Sequence, residues 1–151
     1  MALSYDVVLA SQVEPAEAVG IVRDLVGGRP ADDGRLVVMT GLVVGAGVVD
    51  YEPEREAERE RWGFDPAVSV GFALKPEPAD WERAEDTMSI AAVGVAARLD
   101  CDAGFSFQGE RKLFVRRDGL ITLYFGWRPW NEPAVLAHVP APHTVEPAPE
   151  G

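Results

Sequence analysis

Few side chains in this chain are of the types that perform acid–base or metal chemistry. Histidine is the commonest general base and metal ligand, yet only His138 and His143 are present, and both lie in a proline-rich C-terminal segment. A catalytic or metal site needs groups held on rigid elements, so we expect neither histidine to form one. The sequence therefore predicts no catalytic residue and no metal site.

Two other features could suggest chemistry. Cys101, the only cysteine, lies between two aspartates, whose negative charges disfavour the thiolate that a nucleophile requires. Gly41, Gly45 and Gly47 are spaced like a phosphate-binding loop, but no Lys-Ser or Lys-Thr pair follows them. We therefore interpret Cys101 as an ordinary thiol and the glycines as part of a strand.

Acidic side chains are concentrated in two runs, at residues 52–60 and 77–86. Together they could form a patch complementary to a basic protein, because opposite charges accelerate association and exclude wrong partners. The alternative is that both runs are solvated loops. The residues predicted to contact a partner are Glu54, Glu56, Glu58, Glu60, Glu82, Glu85 and Asp86.

Two tryptophans near the C-terminal end of the chain have two possible roles. Trp127 and Trp130 could be aromatic anchors for a partner. They could equally fold back and close the end of the core.

Length and composition indicate the class of protein. The 151 residues suffice for one domain with a core, 47% of them are hydrophobic, and no apolar run of about 18 residues predicts a membrane span. The net charge of −11 argues against nucleic acid as a partner. The first six residues lack the basic and apolar regions of a signal peptide, and the lone cysteine fits a reducing compartment, so we expect a cytoplasmic protein.

The first half of the chain predicts a strand, a helix and two strands. Residues 3–10 alternate like a strand, and an apolar stripe after Pro15 predicts a helix that ends at Gly27. Residues 36–39 and 42–49 predict two further strands. The charged run 50–61 is either a short exposed helix beginning at Pro53 or a mobile loop.

The second half repeats this order. Residues 68–74 alternate like a strand, and apolar residues from Trp81 to Leu99 recur at helical spacing. A strand follows at 102–108, and the Asp118-Gly119 pair predicts a two-residue hairpin turn that pairs Arg117 with Leu120. In this register, Phe114, Ile121, Leu123 and Phe125 share the face directed to the core.

These elements predict an α+β fold in one domain over residues 1–128. It consists of a mostly antiparallel sheet with two helices on one face, in the order βαββ-βαβββ, as in two similar halves. Half of the 12 prolines lie at or after residue 129, so residues 129–151 are expected to form an extended or disordered tail.

Three blocks of sequence resemble the bacterial Sit immunity-protein family, named for immunity to swarming-inhibition toxins. They are residues 4–10 (SYDVVLA), residues 63–72 (GFDPAVSVGF), and residues 105–107 (FSF) leading to 113–119 (LFVRRDG). The similarity extends over residues 3–128 and rests on element order and on the central block. The chain departs from the family in the runs 41–49 and 50–61 and at Cys101.

The resemblance implies a cytoplasmic protein without enzymatic activity or cofactor that binds and blocks a cognate toxin. The negative net charge predicts that a charged partner is basic, and the sequence leaves both a monomer and a homodimer open. The resemblance carries over no site residue. The alternatives are a small-molecule-binding or enzymatic α+β domain with a pocket between sheet and helices, and an oligomer assembled through the exposed hairpin face.

Overall fold

The computed structural model describes residues 2–149, which form nine strands and four α-helices. The strands are β1 (Leu3–Leu9), β2 (Arg29–Pro30), β3 (Leu36–Met39), β4 (Leu42–Val48), β5 (Val68–Leu74), β6 (Ala103–Phe107), β7 (Arg111–Arg117), β8 (Leu120–Tyr124) and β9 (His143–Glu146). The helices are α1 (Pro15–Val26), α2 (Glu52–Trp62), α3 (Trp81–Leu99) and α4 (Pro133–Leu136), with 3-10 helices at Pro78–Asp80 and Arg128–Asn131. No helix in this described part of the chain is long and apolar enough to cross a bilayer.

All nine strands form one sheet in the order β2-β3-β4-β5-β1-β6-β7-β8-β9, antiparallel except for the parallel pair β8 and β9. The predicted α+β class and mostly antiparallel sheet are confirmed, but the predicted count of two helices is wrong. The two halves also differ in topology. In the first half, β4 lies nearer the centre of the sheet than β3, the strand that precedes it. In the second half the order is reversed, because β6 lies nearer the centre than β7, the strand that follows it.

The central strand β1 separates two apolar layers. Tyr5, Val7 and Leu9 belong to the main core, which they share with buried residues of α1 and α3. Val8 points the other way and packs with Trp62, at the end of α2. The two predicted helices therefore do share one face of the sheet, while α2 lies on the opposite face.

The β7–β8 hairpin has the register that its turn residues predict. Arg117 is paired with Leu120, and both turn residues, Asp118 and Gly119, have positive φ, at 52° and 83°. One part of the prediction is wrong: Phe125 lies beyond the end of β8 and its side chain is 59% exposed. The core face of the hairpin therefore ends at Leu123.

The expectation of an extended or disordered tail over residues 129–151 is wrong for residues 129–139, whereas β9 further along is an exposed, extended strand. Trp130, Val135 and Val139 are buried in the main core, and Val135 belongs to α4. The indole nitrogen of Trp130 donates a hydrogen bond to the carbonyl of Leu113, at 2.9 Å. Pro129 and Pro133 lie in the first turns of the 3-10 helix and of α4, where a missing backbone N–H costs nothing. These prolines are therefore compatible with the helices of this segment.

We expect Trp130→Ala to lower the free energy of unfolding by about 3–5 kcal/mol, because it empties a buried site and leaves the Leu113 carbonyl without its donor. Urea denaturation of the full chain measures this. Val145→Ala is the control: this side chain lies on the exposed edge strand β9, and its loss should change stability by less than about 0.5 kcal/mol. Equal stability of the two variants would show that the folded domain ends near residue 128.

Candidate interaction surface

Helix α2 carries the first acidic run and forms for local reasons. Pro53 lies in its first turn, Glu52 and Glu54 occupy the positive end of the helix dipole, and Arg59 and Arg61 occupy the negative end. Gly63 ends the helix in the left-handed conformation, with φ of 78°. The run 50–61 is therefore a helix, the first of the two predicted alternatives.

Trp62 attaches α2 to the sheet. Its ring lies directly over Gly104 of β6, where an added Cβ atom would overlap the indole. The indole nitrogen donates a hydrogen bond to a carboxylate oxygen of Glu58, at 2.9 Å. Glu58 is thus engaged in holding the anchor of the helix, and its side chain is only 18% exposed.

Two cations from β7 secure the C-terminal end of α2. Lys112 Nζ donates to the carbonyl of Arg61 at 2.8 Å and lies 5.0 Å from the centre of the Trp62 ring. Arg117 donates to the carbonyl of Trp62 at 2.9 Å. Positive charges therefore satisfy carbonyls that the helix leaves free at its negative end.

The second acidic run lies on the other face of the sheet and is largely paired within the protein. Arg128 Nη2 lies 2.9 Å from a carboxylate oxygen of Asp86 and 3.2 Å from one of Glu85, and it also donates to the carbonyl of Glu82. Glu85 additionally accepts a hydrogen bond from the indole of Trp81. The two runs therefore do not form a common patch.

The predicted contact residues thus have different environments. Glu54, Glu56 and Glu60 are exposed on α2, and so is the side chain of Glu82 on α3. Glu58, Glu85 and Asp86 make the internal interactions described above.

Trp127 and Trp130 do not lie on the surface. Both are buried, and the indole nitrogen of Trp127 donates to Ser89 Oγ at 2.9 Å. Trp127 also packs against Tyr5, with ring centres 5.5 Å apart. They close the end of the core, the second of the two roles considered.

Asp6 was missed as a candidate site residue. It lies on β1 and faces the same side of the sheet as α2, and burial, followed by the nearby carboxylates of Glu58 and Glu54, raises its pKa. In residues 2–149, no hydrogen bond or ion pair to its carboxylate is found. The sequence signal for Asp6 was an acidic residue between the apolar residues of a predicted strand. Its proximity to α2 depends on the tertiary fold and could not be read from the sequence.

The other chemical candidates remain isolated. Burial raises the pKa of Cys101, which favours the uncharged thiol. Gly45 and Gly47 belong to β4, in agreement with their interpretation as part of a strand. His138 and His143 are exposed, and nowhere in the described part of the chain do three potential metal ligands converge.

Fold and surface together define an α+β protein with a filled apolar core and one acidic helix displayed on the face opposite its other long helices. A family model described as SitI3-like matches residues 3–134. The chain therefore belongs to the SitI3-like family, as its resemblance to the Sit immunity proteins predicts. Comparisons with curated proteins and with solved structures return no match.

We expect Gly104→Ala to destabilise the protein by about 1–3 kcal/mol, because the added methyl group overlaps the Trp62 ring. Thermal unfolding followed by tryptophan fluorescence measures the effect. Gly20→Ala is the matched control, since nothing lies within 4 Å of the added atom in α1 and the change should stabilise by about 0.5–1 kcal/mol. A Gly104→Ala protein as stable as the wild type would contradict this anchoring of α2.

We expect Asp6→Asn to raise the melting temperature at neutral pH. The pKa of Asp6 is higher in the folded than in the unfolded protein, so ionisation opposes folding; this cost is complete above the folded pKa. The cost disappears as the pH falls below about 4, the pKa of an aspartate in the unfolded protein. The increase in melting temperature caused by Asp6→Asn should become smaller over the same pH range. The charged groups facing Asp6 are Glu54, Glu58 and Arg35.

Melting curves across this pH range test the prediction. Asp32→Asn, an exposed change in the loop between β2 and β3, is the control and should alter the melting temperature little at any pH. A lower melting temperature of Asp6→Asn at neutral pH would contradict the expected cost.

Proposed function

We propose that this protein is a non-enzymatic immunity protein of the bacterial cytoplasm, which binds a cognate toxin and neutralises it by protein–protein contact. The observation that carries the proposal is its membership of the SitI3-like family, whose model matches residues 3–134. That match includes all of β1 to β8 and α1 to α3, so it extends over both the core and the acidic helix.

The distribution of charge supports a basic partner. The protein has a net charge of −11, and Glu54, Glu56 and Glu60 extend into solvent from α2. In contrast to the acids paired with Arg128, no ion pair of these three is found in residues 2–149. A cationic surface would therefore gain from them without first displacing an internal partner.

The second candidate, a small-molecule-binding or enzymatic domain, requires a pocket between sheet and helices. That space is filled by apolar side chains, including Val22 of α1, Met88 of α3 and Phe72 of β5. The surface depressions around Ser4, Thr40 and Arg61 have volumes of about 260, 300 and 290 Å³, at the lower limit of typical ligand sites. These features favour a protein partner over a metabolite.

Co-expression with the product of a neighbouring toxin-like gene tests the proposed function. Growth should be rescued, and the two proteins should co-purify as a stable complex. Failure of both rescue and complex formation would refute the proposal. Growth could also be rescued without a complex, if this protein chemically altered the toxin's target or consumed the toxin's product. That outcome would favour an enzyme instead.

We expect reversal of the exposed charges Glu54, Glu56 and Glu60 to lysine to slow association with the toxin by about tenfold or more at low salt. The difference should diminish at high salt, because surface charges are then screened. Stopped-flow or biosensor kinetics over a range of ionic strengths measure this. Glu58 is left unchanged, since it holds Trp62.

The matched control reverses three exposed acids on the other face of the sheet, where α1 lies. They carry the same total charge and are Glu14, Glu17 and Asp24. Global charge alone would make the two triple variants equally slow. Equal slowing, or no slowing by the α2 variant, would exclude α2 as the approach surface.

A further inference from the structure

A shallow groove of about 260 Å³ lies on the face of the sheet that carries α2. Three adjacent strands form its floor, because Gly45 of β4 is paired with Gly71 of β5, and Gly71 is paired with Asp6 of β1. The rest of the lining comes from the same strands and from the residue before β3: Ser4, Tyr5, Arg35, Val43, Phe72 and Ala73.

The two glycines are not required by the backbone. Neither Gly45 nor Gly71 has a positive φ, so other residues could adopt their conformation. Glycine weakens a strand interior by roughly 0.5–1 kcal/mol relative to alanine, and it often marks a place where another group approaches closely. The missing side chains at these paired positions are what open the groove.

The groove is also acidic at one end, and within residues 2–149 no cationic side chain is paired with the Asp6 carboxylate. The Asp6 carboxylate lines it, and Glu54 and Glu58 of α2 are near enough to oppose the ionisation of Asp6. The guanidinium of Arg35 is held instead by Asp33, at 2.7 Å, and the stem of Arg35 passes Gly45. The charge that would complement this end of the groove is therefore positive.

We propose that this groove receives an arginine side chain of the toxin, with its guanidinium on the Asp6 carboxylate and its stem along the glycine floor. The inference rests on the proposed function and specifies the chemistry of its interface. The volume suits one extended side chain and is below that of most small-molecule sites. A planar guanidinium pairs with a carboxylate through two hydrogen bonds, and arginine is enriched among residues that dominate binding.

Two independent variants test the proposal with the purified toxin. Asp6→Asn removes the charge without changing shape, and Gly45→Val fills the groove, with its Cβ at an ordinary 3.4 Å from Arg35 Cγ. Each should weaken the complex about thirtyfold or more, mainly through faster dissociation. Asp6→Asn leaves the guanidinium without its charged partner, and Gly45→Val excludes the arginine side chain from the groove. Calorimetry and dissociation kinetics provide the measurement.

Matched controls separate the groove from general effects. Asp32→Asn removes one exposed charge elsewhere, and Gly47→Val makes the same change two residues along β4, where nothing lies within 4 Å of an added Cβ. Both should bind within about twofold of the wild type. Melting curves confirm that all four variants are folded.

The outcomes distinguish the groove from the function. A wild-type complex that both Asp6→Asn and Gly45→Val leave unchanged overturns the groove and retains the immunity function. No complex with the wild type overturns the proposed function, and the groove proposal with it. A toxin-independent dimer that either variant dissociates would assign the groove to a second copy of this chain and would also overturn the proposal.

Discussion

The alternation of side chains along β1 is the constraint on which the rest of the structure depends. Successive residues of a strand point to opposite faces, so the central strand must satisfy two different layers at once. Tyr5 and Val7 enter the core beneath α1 and α3, whereas Asp6 and Val8 face the side that carries α2. A shift of one residue in its pairing would place a carboxylate in the main core, which fixes the register of the entire sheet.

This separation of faces also explains why similar acidic runs have different roles. The run on α3 meets Arg128, which folds back with the C-terminal segment and joins Glu85 and Asp86 to the domain. The run on α2 has its cations mainly at the C-terminal end, where Lys112 and Arg117 bind helix carbonyls instead of glutamates. Glu85 and Asp86 of α3 therefore stabilise the fold, whereas Glu54, Glu56 and Glu60 of α2 remain exposed to solvent.

The sequence predicts features whose cause is local. The hairpin register follows from two turn residues, and α3 follows from a sustained helical period. Burial of Trp130 was only one of two alternatives at the level of sequence, because its partner Leu113 lies 17 residues away and the prolines from Pro129 onward mimic an unstructured tail. The packing of Trp62 on Gly104 and the alignment of Asp6 with the strand glycines depend on strand order, which no local pattern encodes.

The face of the sheet that carries α2 has two features, the exposed glutamates of the helix and the groove at Asp6. Strand order places them differently, so their physical effects differ. Exposed glutamates on a helix act at a distance, and the rate of encounter is what such charges change most. Asp6 lies on the central strand, in a groove floored by paired backbone, and a rigid recess with one carboxylate acts only after contact. In the proposed complex with a toxin, we therefore expect Asp6 to change mainly the rate of dissociation. Glycine in a strand interior and the half-buried charge of Asp6 each cost stability, and proteins keep such local costs mainly where a site requires them.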